Sequence, residues 1–240
     1  MKTWRAIFTA AAATLVLAAF PAVSAANNLF TLDTEATSNG HLIEDAAGNA
    51  YVAWTSEGVG IGVEPVKFCK IPPGGTCSPI TLPTPGATSI SESASAAFPV
   101  FGPGNTVYVV GPRYAVNDVV FWTSTNGGLS FDGGTQSDPY SGKTDPTDVF
   151  LVGGSFLISA YNSGLGFSTV DLPPPGGGEF EFKNPGDGGV DGASMGLFES
   201  RPVIAYWNIS DPPYPLLFYR YGAGALTTEA SWEGPIEVTK

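Results

Sequence analysis

The 240-residue sequence predicts an all-β protein built from about four copies of one sheet unit. Three observations carry that reading. Glycine (31) and proline (21) punctuate the chain, yet five Trp, nine Tyr and fifteen Phe lie between them in short runs with Val, Ile and Leu. A disordered chain would lack the aromatics, so the pattern is one of many short strands joined by many turns. Past the first 25 residues no stretch keeps a 3.6-residue apolar period, so helices are not expected. The third observation is a strand-like segment that recurs.

The recurring segment is a polar or Gly turn followed by β-branched and aromatic residues. Its copies are Gly48–Trp54, Gly104–Val110, Gly153–Tyr161 and Phe198–Trp207. Matching Val52, Val109, Leu157 and Val203 gives steps of 57, 48 and 46 residues. Each copy is followed by a second apolar run, a Gly-rich turn and a short final strand. The second runs begin at Val66, Val119, Gly164 and Leu216. A strand-built period of this length points to the blades of a β-propeller, about four strands per blade. The expected blades are 41–83, 96–141, 147–186 and 195–239, joined by Pro/Gly/Ser-rich stretches. Four blades can form a complete ring or part of a larger, six-bladed one. The segment Asn28 to Asp33 is a candidate closing strand.

The start of the chain sets the compartment. Lys2 and Arg5 precede an apolar run, Ala6–Phe20, and Pro21 and Ala22-Val23-Ser24-Ala25 follow. That is the layout of a secretory signal peptide cleaved near Ala25. The run is about 15 residues, short of the roughly 20 that span a bilayer. The mature domain is then 26–240, with no membrane span and a secreted location. The whole chain carries a net charge of −12; without Lys2 and Arg5 it has eight basic residues against 22 acidic ones, a net −14. Such a surface repels nucleic acid and anionic lipid.

Only Cys69 and Cys77 are present. Aligning Gly74-Gly75 with Gly127-Gly128 puts them on opposite arms of one hairpin. An exported chain permits a disulfide there. A zinc site normally needs four ligands, and His41 is the one histidine. The oxygen-rich segment Asp138–Asp148 lacks the spacing of a calcium loop, so turn capping is its expected role. No metal or cofactor is expected. Asn208-Ile-Ser210 fits the glycosylation sequon.

The second unit holds the sharpest motif, Ser124-Thr-Asn-Gly-Gly-Leu-Ser-Phe131. Asn126 suits bonds to its own turn backbone, and Gly127 and Gly128 accept positive φ. Ser124 and Ser130 can bond across the turn while Phe131 anchors it. Here the chain resembles the sialidase-like and other Asp-box (BNR) propellers. The resemblance implies that Ser124, Asn126, Gly128, Ser130 and Phe131 are structural, at a rim away from the binding face. A sialidase would also need three arginines for a sugar carboxylate, a Tyr nucleophile and an Asp acid/base. Past the leader the only arginines are Arg113, Arg201 and Arg220, with Tyr114, Tyr219 and Tyr221 beside two of them. Arg113, Arg201, Arg220 and Tyr114 are therefore the candidate anion- or sugar-binding residues. Two departures stand against sialidase activity. Residues 29–44, where that family carries its first arginine, have none, and four units are visible rather than six. A paired-carboxylate glycosidase would draw on Asp118, Asp145, Asp148, Asp187, Asp191 and Glu199 near the blade ends.

Three readings follow. The first is a secreted recognition module for a glycan or extracellular protein, using Trp54, Trp122 and Trp207. The second is an exo-sialidase-like hydrolase, and the third is the N-terminal part of a larger propeller. Oligomeric state is not legible. N-terminal sequencing of the exported protein is expected to begin at Ala26; a chain still starting at Met1 would refute the cleaved leader.

Overall fold

The computed structural model describes residues 31–38, 40–57, 63–89, 92–113, 118–137, 146–162, 164–171, 177–182, 190–199, 201–208, 216–226 and 228–238. The leader at 1–25 lies outside them. Among the described residues sixteen strands form four antiparallel sheets of four, each a simple meander. The first sheet holds β1 (His41–Glu44), β2 (Ala50–Thr55), β3 (Val66–Ile71) and β4 (Ile80–Leu82). The second holds β5 (Phe98–Phe101), β6 (Val107–Arg113), β7 (Asp118–Ser124) and β8 (Thr135–Ser137). The third holds β9 (Pro146–Val152), β10 (Ser155–Asn162), β11 (Gly164–Asp171) and β12 (Gly177–Phe182). The fourth holds β13 (Val190–Phe198), β14 (Arg201–Asn208), β15 (Leu216–Tyr221) and β16 (Trp232–Glu237).

Sequential strands pair because the turns are short and built for reversal. Asp45 shows how the first hairpin is tied. Its Oδ1 accepts the amides of Ala47 and Asn49, both at 2.9 Å, and its Oδ2 accepts Asn49 Nδ2 at 2.8 Å and Tyr51 Oη at 2.9 Å. These bonds, led by those from Asn49, draw the Asp45 carboxyl down to a pKa of about 2.

The sheets stack face to face. Tyr51, Ala53 and Phe68 of the first sheet meet Val107, Val109 and Trp122 of the second. Val110 and Phe121 on the other face of the second sheet meet Phe156 and Ile158 of the third. Leu157 meets Ile204, Tyr206 and Tyr219 of the fourth. The middle sheets are thus buried on both faces, which explains why their central strands read as unbroken apolar runs. Among the described residues no comparable contact joins the strands of the fourth sheet to those of the first. The architecture is four stacked blade-like sheets, without a closed ring.

The repeat match is out by one residue in its second half. Val109 faces the first sheet, but its match Leu157 faces the fourth, while Ile158 faces back to the second. Side chains alternate across a strand, so a slip of one residue exchanges the two faces. Facing equivalence runs through Val52, Val109, Ile158 and Ile204.

The far face of the first sheet is covered by the segment before it. Leu32 packs on Val52, Trp54 and Cys69. Asp33 Oδ2 accepts the Trp54 indole N–H at 2.7 Å, and Ala36 forms a bridge with Ser56. Leu32 and Asp33 therefore do not add a closing strand to the fourth sheet, which among the described residues holds β13 to β16; residues 28–30 lie outside them. Cys69 and Cys77 form a disulfide with a Cα–Cα distance of 6.0 Å, linking β3 to the segment after the Pro72–Gly75 turn.

The turn between β7 and β8 is tied by hydrogen bonds. Asn126 Oδ1 accepts Ser124 Oγ at 2.8 Å and the amides of Leu129 and Ser130 at 3.1 and 3.0 Å. Asn126 Nδ2 donates to Ser130 Oγ, and the Gly128 amide donates to Ser124 Oγ, each at 2.8 Å. Gly128 has φ +84°, and a Cβ there would meet Phe68 at 3.0 Å, so both conformation and space require glycine. Phe131 lies edge-on to Phe68 at 4.7 Å, fastening the turn to the first sheet.

Arg113 is 2% exposed and bonds internally. Its Nε donates to Asp118 Oδ1 at 2.5 Å and its Nη2 to Asp118 Oδ2. Its Nη1 donates to the carbonyls of Pro85 and Glu92 at 3.1 and 3.3 Å. Gln136 Nε2 completes the site by donating to Asp118 at 2.6 Å. Removing one partner strands a buried charge, so Asp118→Ala is expected to cost about 3–5 kcal/mol in urea unfolding. A loss below about 1 kcal/mol is the behaviour of a solvent-exposed pair and would refute the buried geometry.

Candidate functional site

The first strand of every sheet is an edge strand, and all four edges converge. Residues of β1, β5, β9 and β13 line one cavity of about 290 Å³. An edge strand has a row of backbone N–H and C=O groups without ladder partners. Here those rows lie around a shared centre, so the cavity is where polar backbone and apolar side chains meet.

Each strand contributes by its own local logic. In β1, His41 and Ile43 are half-buried while Leu42 is 60% exposed. In β5, Phe98 and Val100 are buried between the second and third sheets, leaving Phe101 partly open. Pro99 is tolerated because β5 pairs on one side alone. From β9 come Asp148, Val149, Phe150 and Leu151, and Leu197 comes from β13.

Two ionisable groups stand in this wall. The His41 ring lies against Phe98 with centroids 3.9 Å apart and planes tilted by 32°. Burial lowers the His41 pKa, favouring neutral imidazole. Asp148 Oδ1 accepts the Val149 amide at 3.0 Å, and Oδ2 accepts the Met195 amide of β13 at 3.2 Å. The second bond fastens the fourth sheet to the third. Burial raises the Asp148 pKa, and the two amide bonds only partly offset that. The chamber thus offers aromatic faces, aliphatic walls, one neutral imidazole and one carboxyl group held toward its acid form.

The arginines are placed elsewhere. Arg113 is committed to Asp118 inside the second sheet. Arg201 pairs with Glu199 at 3.3 Å, and Arg220 Nε donates to Glu233 at 2.9 Å. Val203 is paired with Arg220, so Arg201 and Arg220 share the face of the fourth sheet turned away from the third. Arg220 first, and Arg201 after it, hold the Glu233 carboxyl below its usual value. The structure therefore brings two arginines together and keeps the third apart. None of the three lines the cavity. Tyr114, Asp145 and Asp187 lie outside the described residues, as does most of the Asp138–Asp148 segment.

Two of the tryptophans named as candidate binding surface, Trp54 and Trp122, are interior, and the side chain of Trp207 lies outside the described residues. Trp122 is 0% exposed, with its indole N–H donating to the Pro83 carbonyl at 2.8 Å. Trp54 is buried under Leu32. Large apolar rings are worth more between sheets than at a rim, and each indole N–H found an internal acceptor. The aromatic rings that line the cavity are instead those of His41, Phe98, Phe101 and Phe150 on the first strands, with Phe101 the most exposed phenylalanine among them. These residues fall within the expected blades 41–83, 96–141 and 147–186 but outside the recurring segments that defined the repeat.

Two further clefts lie among the described residues. One of about 320 Å³ lies near Glu44, Asp45 and Gly127, where Asp45 is already spent on its hairpin. The other, about 410 Å³, lies beside Asp33, Glu35 and Glu57. Neither gathers strands from more than two sheets. Among the described residues no three of His, Cys, Asp and Glu gather as metal ligands would, and no helix is long and apolar enough to cross a membrane.

No protein-family model matches the chain, and no curated protein matches it at a significant level. Among solved structures it overlaps a crystal structure from Parabacteroides distasonis whose description as a glycoside hydrolase is provisional. The TM-score is 0.44 at 12% identity, covering 85% of this chain and 73% of that one. A superposition that loose transfers neither activity nor site residues.

The Asp148 shift has a testable sign. Its folded pKa lies above the unfolded value of about 3.9, so burial costs nothing in strong acid and costs more as pH rises through the folded value. Asp148→Asn does not titrate. Its stability relative to wild type, from urea unfolding, is therefore expected to improve between about pH 4 and pH 7. A difference independent of pH would mean the carboxyl is solvated.

Proposed function

We propose that this chain is a secreted Asp-box propeller-type domain that recognises a small saccharide at the mouth of the axial cavity and does not catalyse its turnover. The observation that carries the reading is the convergence of four edge strands on one aromatic-walled chamber of about 290 Å³. Ligand sites are concave, mostly apolar and provided with a few polar groups, and they favour places where several elements meet. A sugar ring has an apolar face that stacks on aromatic rings, and hydroxyls that suit free backbone groups and Asp148. The size favours a small ligand over a protein surface.

Export is supported by the leader at 1–25 and by the Cys69–Cys77 disulfide. Membership of the Asp-box class is supported by the hydrogen bonds of Ser124, Asn126 and Ser130 at the β7–β8 turn. The sialidase reading loses its support in the arginines, because Arg113 is buried against Asp118 and the other two face away from the chamber. A hydrolase reading keeps one observation, since a carboxyl group with a raised pKa is what a general acid requires.

A glycan array read alongside a fluorogenic glycoside panel separates the two. The expected outcome is array binding that Phe101→Ala weakens, with no turnover on the panel. Turnover abolished by Asp148→Asn would replace recognition with hydrolysis.

A further inference from the structure

We infer that the axial cavity selects a small organic cation, an ammonium group carried on a sugar ring or another compact body. The inference rests on the axial-site reading above. The described lining contains the Asp148 carboxyl group and no Lys or Arg. Its two oxygens are held by the amides of Val149 and Met195, which orient the group but bring no counter-charge. A ligand ammonium is the partner the wall lacks, and pairing it with a half-buried carboxylate returns what desolvation takes.

The walls suit the same ligand. Phe101 and Phe150 line the same cavity as Asp148, and cations are drawn to aromatic faces. Without Lys2 and Arg5 the chain carries a net −14, which attracts cations to any opening and repels anions. A sugar acid would bring its carboxylate against Asp148. The volume of about 290 Å³ lies at the small end of ligand pockets, which holds one ring rather than a chain.

Titration calorimetry at low salt on the exported chain tests this with four probes: glucosamine, N-acetylglucosamine, N-acetylneuraminic acid and benzyltrimethylammonium. Glucosamine is expected to bind about tenfold tighter than N-acetylglucosamine, the scale of one favourable charge contact. Asp148→Asn is expected to abolish that preference. Leu42→Lys, at an exposed position on the mouth, is expected to abolish it independently by placing a like charge there. Competition by benzyltrimethylammonium would assign selection to charge and aromatic walls. Glucosamine preference without that competition would assign it to an amino sugar, and both support the inference. Equal binding of the amino and N-acetyl sugars, tighter binding of N-acetylneuraminic acid, or a preference that survives Leu42→Lys overturns it while the axial site stands. No binding by any probe overturns the axial site as well.

Discussion

Burial of one sheet face against the next is the constraint from which the rest of this structure follows. A four-stranded meander with apolar residues on both faces cannot stand alone in water. The second and third sheets satisfy both faces with neighbours. Stacking in that manner brings the first strand of each sheet toward a common centre, and the axial cavity is the space left between them. The site is therefore a product of packing between sheets, not of any loop motif.

The two ends of the stack meet the same constraint differently. The first sheet hides its far face beneath Leu32 and Asp33, with Trp54 bonded to the Asp33 carboxylate. The fourth sheet carries charge on its outward face, where Glu199 and Glu233 pair with Arg201 and Arg220. Exposed ion pairs of that kind add little stability but keep a sheet face wettable. Between the ends, three polar devices fasten the perimeter. The Cys69–Cys77 link holds the turn of the first sheet, the Asn126 network holds that of the second, and Arg113 with Asp118 bridges strand ends to the preceding connection. The first two occupy the same place in successive sheets, a covalent bond in one and side-chain hydrogen bonds in the other.

Much of the fold was legible because the signal is local. Turn glycines and runs such as Val107–Val110 and Val119–Trp122 mark second and third strands by composition. Facing was harder to read. The slip between Leu157 and Ile158 leaves no mark in the sequence because both are large, apolar and fully buried, so the two faces of β10 do not differ in hydropathy there. The cavity was legible least of all. Its residues lie on first strands such as His41–Glu44 and Phe98–Phe101, which are short and resemble one another little. Asp148 was one of six carboxylates near strand ends, and nothing in the chain order separates it from Asp118. Arg113 drew attention as a rare arginine beside a tyrosine, but rarity does not distinguish a binding cation from one neutralised inside a sheet.

By itself the sequence determined the all-β class, the four repeated units, the hairpin chemistry around Asn126 and the pairing partner available to Cys69. Each is set by residues within one turn or one strand of each other, where backbone preference and hydrogen-bond reach act directly. Tertiary structure alone decided that Trp54 and Trp122 are interior, that Arg113 belongs to Asp118, and that His41, Phe101, Asp148 and Leu197 surround one chamber. Those facts depend on which face of each sheet meets its neighbour and on how far each sheet turns relative to the last. Such quantities are fixed by contacts between residues distant in the chain, and they leave no local trace in it.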